Sequence, residues 1–218
     1  MAFVNGPQMM RDIATMCNQR YGINIVYAPG WETRGNGQSW PAGGPKGFID
    51  HHTAGGNNIY LDQNLISGIP GLSGPLCNFA GLYDGDLAVV AAYPANHAGA
   101  SGGWDTAPLP NTSMFNREVL GIEMQYRGTE PMSPAQYRTM CAVNRCAAIV
   151  LGWKNMNVIK THNGTSIQGK WDPGYAPGKT YDINKIRSDA TALDPNGSAS
   201  EDPKIFDAIM TQLMGTRD

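Results

Sequence analysis

Apolar side chains recur at Met9, Ile13, Met16 and Cys17 between Gly6 and Arg20, the spacing of one helical face, and Tyr21-Gly22 follows as a stop. That pattern predicts a first amphipathic helix. From Ala28 to Lys46 the text is rich in Gly, Pro, Trp and Asn and has no period, which predicts a long ordered loop pinned by Trp31 and Trp40. Short apolar runs then predict strands at Gly47–His52, Leu76–Leu82 and Leu87–Ala92, the last two joined by Tyr83-Asp84-Gly85-Asp86, which has the Asp-Gly signature of a tight hairpin. Two further runs, Val119–Tyr126 and Val158–His162, bracket Ser133–Trp153, where Ser-Pro-Ala-Gln supplies an N-cap, Pro at N1 and a capping-box partner. The stripe Tyr137, Met140, Cys141, Asn144, Ala147, Ala148 and Leu151 would lay that helix on the sheet. After a Gly- and Pro-rich stretch from Gly164 to Thr180, Asp182–Leu193 reads as another helix capped by Asp182. Asp194–Pro203 reads as a linker, and Lys204–Met214 as a closing amphipathic helix through Ile205, Ile209 and Leu213. The order predicts an α/β fold: a central mixed β-sheet flanked by helices, with long loops, one domain over 1–193 and a linker plus C-terminal helix over 194–218.

Composition narrows the class. With 218 residues, 16 Lys+Arg against 18 Asp+Glu and a net charge of −2, no strong positive field exists, so neither nucleic acid nor an anionic membrane is an expected partner. Hydrophobic residues at 41% and charged residues at 16% predict a real core, and the length suits a single core that needs no partner chain, hence a monomer. No apolar run approaches the roughly 18 residues of a membrane span, and the opening MAFVNGPQMM lacks the basic-then-apolar pattern of a secretion signal. Cys17, Cys77, Cys141 and Cys146 are widely scattered and read as reduced core thiols.

The histidines carry the chemistry. His51, His52, His97 and His162 all lie beside glycines or at predicted strand ends, and the predicted helices hold none. In FIDHHTAGG, alternation puts Ile49, His51 and Thr53 on one face and Phe48, Asp50 and His52 on the other, so the paired histidines do not bind one metal together. Periodicity does not choose between them. In VIKTHNGTSIQGKWDPG a strand ends on His162, and Lys170 and Asp172 face one way in the returning loop. One imidazole from each of two strands plus one carboxylate makes a three-ligand zinc site with a fourth position open for hydrolysis; the competing reading is a solvated loop. Glu123, inside the apolar strand LGIEMQY, is either ion-paired, exposed on a sheet face, or a general base. Asp50-His51-His52 also admits a two-manganese phosphoesterase, a reading that lacks the further aspartate clusters such chemistry needs.

Taken together, these segments resemble the zinc-dependent N-acetylmuramoyl-L-alanine amidases, the family of many phage endolysins, bacterial wall-recycling amidases and animal peptidoglycan recognition proteins. FIDHHTAGG resembles the family's first strand, NHAGAS at Asn96–Ser101 its HAG turn, LGIEMQY its GIE strand and THNGTSIQGKWDPG its His…Lys-x-Asp-Pro loop, in the family's order from roughly Gly47 to Pro177. The resemblance implies one zinc ion on His51, His162 and Asp172, Glu123 as general acid/base and Lys170 steadying the oxyanion. It puts His97 at the border of the substrate groove, and His52, Thr53 and Asn78 are further expected substrate contacts. The implied activity is hydrolysis of the amide between N-acetylmuramic acid and L-alanine in peptidoglycan. The implied setting is an endolysin made in the host bacterial cytoplasm and reaching the wall after holin-type release, with a secreted enzyme as the alternative; the closing helix either packs back or begins a wall-binding module cut off at Asp218. A non-catalytic peptidoglycan-binding module is the rival, disfavoured because all three ligand positions are filled. Departures from the family pattern are Asp172 where other members have cysteine, Asp50 at a position usually apolar, and an insertion over roughly Gly102–Asn116.

Overall fold

The computed structural model describes residues 5–193; the expected linker and closing helix over 194–218 lie outside the described residues. Along the chain run α1 (Gly6–Tyr21), β1 (Ile25–Tyr27), β2 (Gly47–His52), α2 (Asn64–Ser67), the hairpin β3 (Gly68–Ile69) and β4 (Leu72–Ser73), β5 (Phe79–Gly81), β6 (Leu87–Val89) and β7 (Val119–Met124). Then follow α3 (Pro134–Val150), β8 (Ile159–Thr161), α4 (His162–Thr165), the hairpin β9 (Gly174–Ala176) and β10 (Lys179–Thr180), and α5 (Ile183–Ala192). The caps read from sequence are in place. Ser133 and Gln136 form both halves of a capping box on α3, and the Asp182 carboxylate accepts from Asn184 N–H at 2.8 Å. Asn5 caps α1, and Gly22 closes it at φ 65, a left-handed conformation open to glycine.

Six strands form one mixed sheet in the order β1-β6-β5-β7-β2-β8, parallel throughout except for the β5–β6 hairpin. β1 is an addition to the strands expected from the sequence: three residues are too few to show alternation, and pairing with β6 makes them a strand. The β5 and β6 strands are shorter than the apolar runs around them because Leu76, Cys77 and Val90 are buried with Leu65 of α2 without joining a ladder. Trp31 and Trp40 are buried, and the Trp40 indole N–H donates to the Ala92 carbonyl at 3.0 Å, which fixes the long loop before β2.

Alternation gives the two sheet faces different coverings. Phe48, Phe79, Leu120, Ile122, Met124 and Ile159 point into the main core beneath α1, α3 and α5. On the opposite face Ile49 and Val119 are roofed by Ala98, Leu109 and Phe115, so the inserted segment supplies part of that cover. The insertion is also locked to the sheet edge. Its Asp105 accepts from Lys160 Nζ on β8 at 3.1 Å and from Arg187 Nη2 on α5 at 2.7 Å, while Arg187 Nε donates to the Ile159 carbonyl at 3.0 Å. The free edge of β8 is thereby covered rather than left as a template for another strand. All four cysteines are buried and unpaired, and among the described residues no helix is long and apolar enough to cross a membrane.

Asp50, the residue that departs from an apolar pattern, faces the helices with no exposure, and its Oδ2 accepts from Asn144 Nδ2 on α3 at 2.9 Å. Burial pushes its carboxyl up to about 8, and the Asn144 hydrogen bond and the Arg187 charge only partly offset this. The folded chain therefore holds a proton that the unfolded chain releases near pH 3.9. Wild-type stability must fall as pH rises from about 4 to about 8. Asp50→Asn is expected to be more stable than wild type at pH 7 by a margin that disappears toward pH 4, read from urea unfolding of the metal-free proteins across that range. Asp105→Ala, by contrast, leaves the Lys160 ammonium, whose side chain is 1% exposed, with the Ala107 carbonyl but without its carboxylate. It is expected to cost about 3 kcal/mol, with part recovered by adding Lys160→Met; denaturation midpoints of the single and double variants check this.

Candidate metal centre

Strand register builds the site. β2 lies between β7 and β8, parallel to both, with His51 level with Glu123 and Asp50 level with Thr161. His162, the residue after Thr161, therefore comes level with His51. Level residues on neighbouring parallel strands share a face about 4.8 Å apart. Glu123, His51 and His162 thus stand in a row at the C-terminal ends of parallel strands, where open α/β sheets place their sites.

Asp172 reaches this row from the loop after α4. Thr161 caps α4 by accepting from Gly164 N–H at 3.2 Å, Asn163 N–H donates to the Asp172 carbonyl at 3.0 Å, and Asn163 Nδ2 donates to the Lys170 carbonyl at 2.9 Å. Beyond Asp172 the chain is held by Tyr181 N–H on the Pro173 carbonyl at 3.0 Å and by Gly174 N–H on His52 Nδ1 at 2.9 Å. His52 accordingly sits on the face opposite His51, edge-on to Trp171 and Tyr126 at 4.6 and 5.5 Å between ring centroids. It braces the loop that carries Asp172.

Three donor atoms converge. Asp172 Oδ2 is 3.0 Å from His51 Nδ1 and 3.0 Å from His162 Nδ1, and the three ligand groups lie within 4.8 Å of one another, all buried. A tetrahedral ion with bonds of about 2.0–2.2 Å separates its ligands by roughly 3.3–3.6 Å, so a small outward movement of these groups admits one. Two imidazoles and a carboxylate are also a donor set for zinc. His162 Nε2 and Glu123 Oε2 are buried without a hydrogen-bond partner.

The electrostatics match that chemistry. Burial, reinforced by neighbouring His162, pushes His51 down to about 4, against the pull of Asp172, so its imidazole is neutral at physiological pH. Burial alone would raise Asp172, but the hydrogen bonds from His162 and His51 outweigh it and hold the carboxyl below the usual range. Neutral imidazole and ionised carboxylate are the forms that bind a cation. Glu123 is held well above the usual range by burial and then by the Asp172 charge, with Lys170 pulling the other way. A cation between them would draw it back toward ionisation.

The other sequence candidates fall in different places. Lys170 is exposed on the loop, near enough for its charge to act on Glu123. Thr53 is half-buried, its Oγ1 donating to the Tyr126 carbonyl at 3.4 Å and accepting from Gly55 N–H at 3.2 Å. Asn78 is not brought to the row: it is fully buried, donating to the Ala91 and Tyr93 carbonyls at 3.1 and 2.9 Å and accepting from Gly121 N–H at 3.1 Å. His97 is buried against His51, its Nδ1 3.0 Å from His51 Nε2, on the side of that ring away from Asp172. Sequence reasoning missed Asn116, whose Oδ1 accepts from the N–H groups of His97, Ala98 and Gly99 at 3.1, 2.7 and 3.2 Å. No local pattern marks it, because its partners lie 17 to 19 residues away.

Residues 41–175, more than half of the chain, match the family model described as N-acetylmuramoyl-L-alanine amidase (Amidase_2). No curated protein sequence matches the chain. Among solved structures, that of a selenomethionine AmpD derivative is similar at a TM-score of 0.54 and 18% identity, covering 86% of this chain and 98% of that one. The endolysin N-acetylmuramoyl-L-alanine amidase LysCS from Clostridium intestinale is similar at a TM-score of 0.51 and 19% identity, covering 77% and 95%. LysC from the same organism gives 0.50 and 18%, covering 77% and 97%. At such identities these structures speak for the fold alone. The sequence match carries the assignment: the chain belongs to the Amidase_2 family of N-acetylmuramoyl-L-alanine amidases.

Proposed function

We propose that this protein hydrolyses the amide bond between N-acetylmuramic acid and L-alanine in peptidoglycan with one zinc ion held by His51, His162 and Asp172, and that it acts as a cell-wall-lysing endolysin. The observation that carries this reading is the convergence of three buried donors beside Glu123, whose Oε2 has no partner of its own. Four free, buried thiols support synthesis in a reducing compartment, as in a host cytoplasm.

A zinc ion held by His51, His162 and Asp172 would supply Lewis acidity to the scissile carbonyl and acidity to water. The protein's own groups do the rest. Ionised Glu123 takes a proton from the attacking water and returns it to the nitrogen of L-alanine as that amide breaks. Lys170, at an exposed loop position whose charge acts on Glu123, steadies the negative charge that gathers on the carbonyl oxygen. His52, behind the loop, keeps Asp172 in place through Gly174.

Mass spectrometry of fragments released from purified peptidoglycan tests the reaction. New N-terminal alanine without new reducing sugar ends, abolished by a chelator and restored by zinc, is the expected result. Wall binding without release would overturn the enzymatic reading in favour of a binding module. Glu123→Gln is expected to keep stoichiometric zinc while kcat falls by about 10²–10⁴, whereas Asp172→Ala loses the metal; metal analysis after dialysis separates the two. Lys170→Ala is expected to lower kcat by on the order of 10²–10³ with zinc content unchanged.

A further inference from the structure

His97 sits in the turn between β6 and β7, with its ring edge-on to that of His51 at 5.1 Å between centroids and an interplanar angle of 89°. Its Nδ1 lies 3.0 Å from Nε2 of His51. Nδ1 of His51, the other ring nitrogen, faces Asp172. A neutral imidazole carries one proton, on one nitrogen or the other. If the proton is on Nδ1, it is donated to Asp172 and no lone pair is left there for a cation. If it is on Nε2, it needs an acceptor, and the only group at hydrogen-bond distance from Nε2 among the described residues is His97 Nδ1.

We infer that His97 is a positioning residue for the metal centre: when a cation takes the place of the Nδ1–H···Asp172 hydrogen bond of the metal-free site, His97, its own proton on Nε2, accepts the Nε2–H of His51 at Nδ1, which favours the His51 tautomer with a free lone pair on Nδ1 and holds the ring toward the metal. The inference rests on the metal reading above and deepens it.

The surroundings of His97 are built to hold one ring position. The ring lies over Gly121 on β7, where even a Cβ would come within 2.9 Å of Cγ and closer still to Nδ1, so only glycine leaves room. Asn78 fixes Gly121 from both sides, accepting from its N–H at 3.1 Å and donating its own N–H to the Gly121 carbonyl at 3.0 Å. Asn116, at the end of the insertion, gathers the N–H groups of His97, Ala98 and Gly99 on one oxygen. Three separate segments therefore converge on the placement of an imidazole that is only 9% exposed. Groups that orient a metal-binding histidine through its second nitrogen typically contribute 10- to 100-fold in affinity.

Cobalt(II) titration with a competing chelator tests this, since it reads affinity and the visible d–d spectrum independently of turnover. His97→Leu, similar in bulk but unable to accept, is expected to weaken cobalt binding by about 10- to 100-fold and to alter the spectrum. His97→Asn, whose Oδ1 can stand where Nδ1 stands, is expected to restore most of the affinity. Wild-type affinity and spectrum in His97→Leu, or equal losses in the Leu and Asn variants, would overturn the assignment. If circular dichroism shows that His97→Leu does not fold, Gly121→Ala replaces it: the added methyl displaces the ring without removing it, and must weaken cobalt binding in the same direction, wild-type affinity overturning the inference. A wild-type protein that binds no cobalt and no zinc defeats the metal reading itself, a result distinct from one in which wild type binds and the variants bind equally well.

Discussion

The parallel register of β2 between β7 and β8 is the constraint on which the rest of this structure depends. His51 is level with Glu123, and Asp50 with Thr161, so one strand carries a ligand toward the loops and a carboxyl into the helices. A slip of one residue would exchange those faces, sending His51 under α3 and bringing Asp50 and His52 to the side of the candidate site. The hydrophobic side chains prevent it. Phe48 lies in the core with Leu120, Ile122 and Ile159, and Ile49 packs with Val119 on the opposite face; each would have to trade places in the slipped register.

From that register the charge arrangement follows. Four ionisable groups that water would otherwise solvate are drawn together in the interior, and burial drives the imidazole of His51 and the carboxyl of Glu123 toward their neutral forms. Asp172 alone stays ionised, because both imidazoles hydrogen-bond to the same oxygen. Metal-free, the site sets a negative carboxylate beside the neutral ring of His51, and a cation there would draw Glu123 toward its ionised form. The loop that delivers Asp172 is accordingly tied at several points, including through His52 from behind the sheet.

The insertion of roughly Gly102–Asn116 takes part in this architecture at both of its ends. Asp105, near its start, joins the β8 ammonium to the α5 guanidinium and covers the sheet edge. Asn116, at its finish, organises the His97 turn beside His51. Leu109 and Phe115 between them roof the face on which the ligands stand. A segment that departs from the family pattern is thus part of the site's support.

What the sequence determined by itself was the local and the periodic. The glycine stop of α1, the caps of α3 and α5, the Asp-Gly hairpin, the alternation that separates His51 from His52, and the grouping of His51, Glu123, His162 and Asp172 as candidate site residues were all legible, because each depends on residues close together or on a motif recurring in order. Tertiary structure decided the pairings between distant segments. β1 is too short to show a period and exists through β6; Asn78, expected at the substrate, is folded inward onto backbone carbonyls; His97 turns its Nδ1 onto His51; and Asn116 finds its partners across the insertion. A side chain's type limits the bonds it can make, but which nitrogen meets which acceptor depends on strand order and loop closure, and those are properties of the whole packed chain.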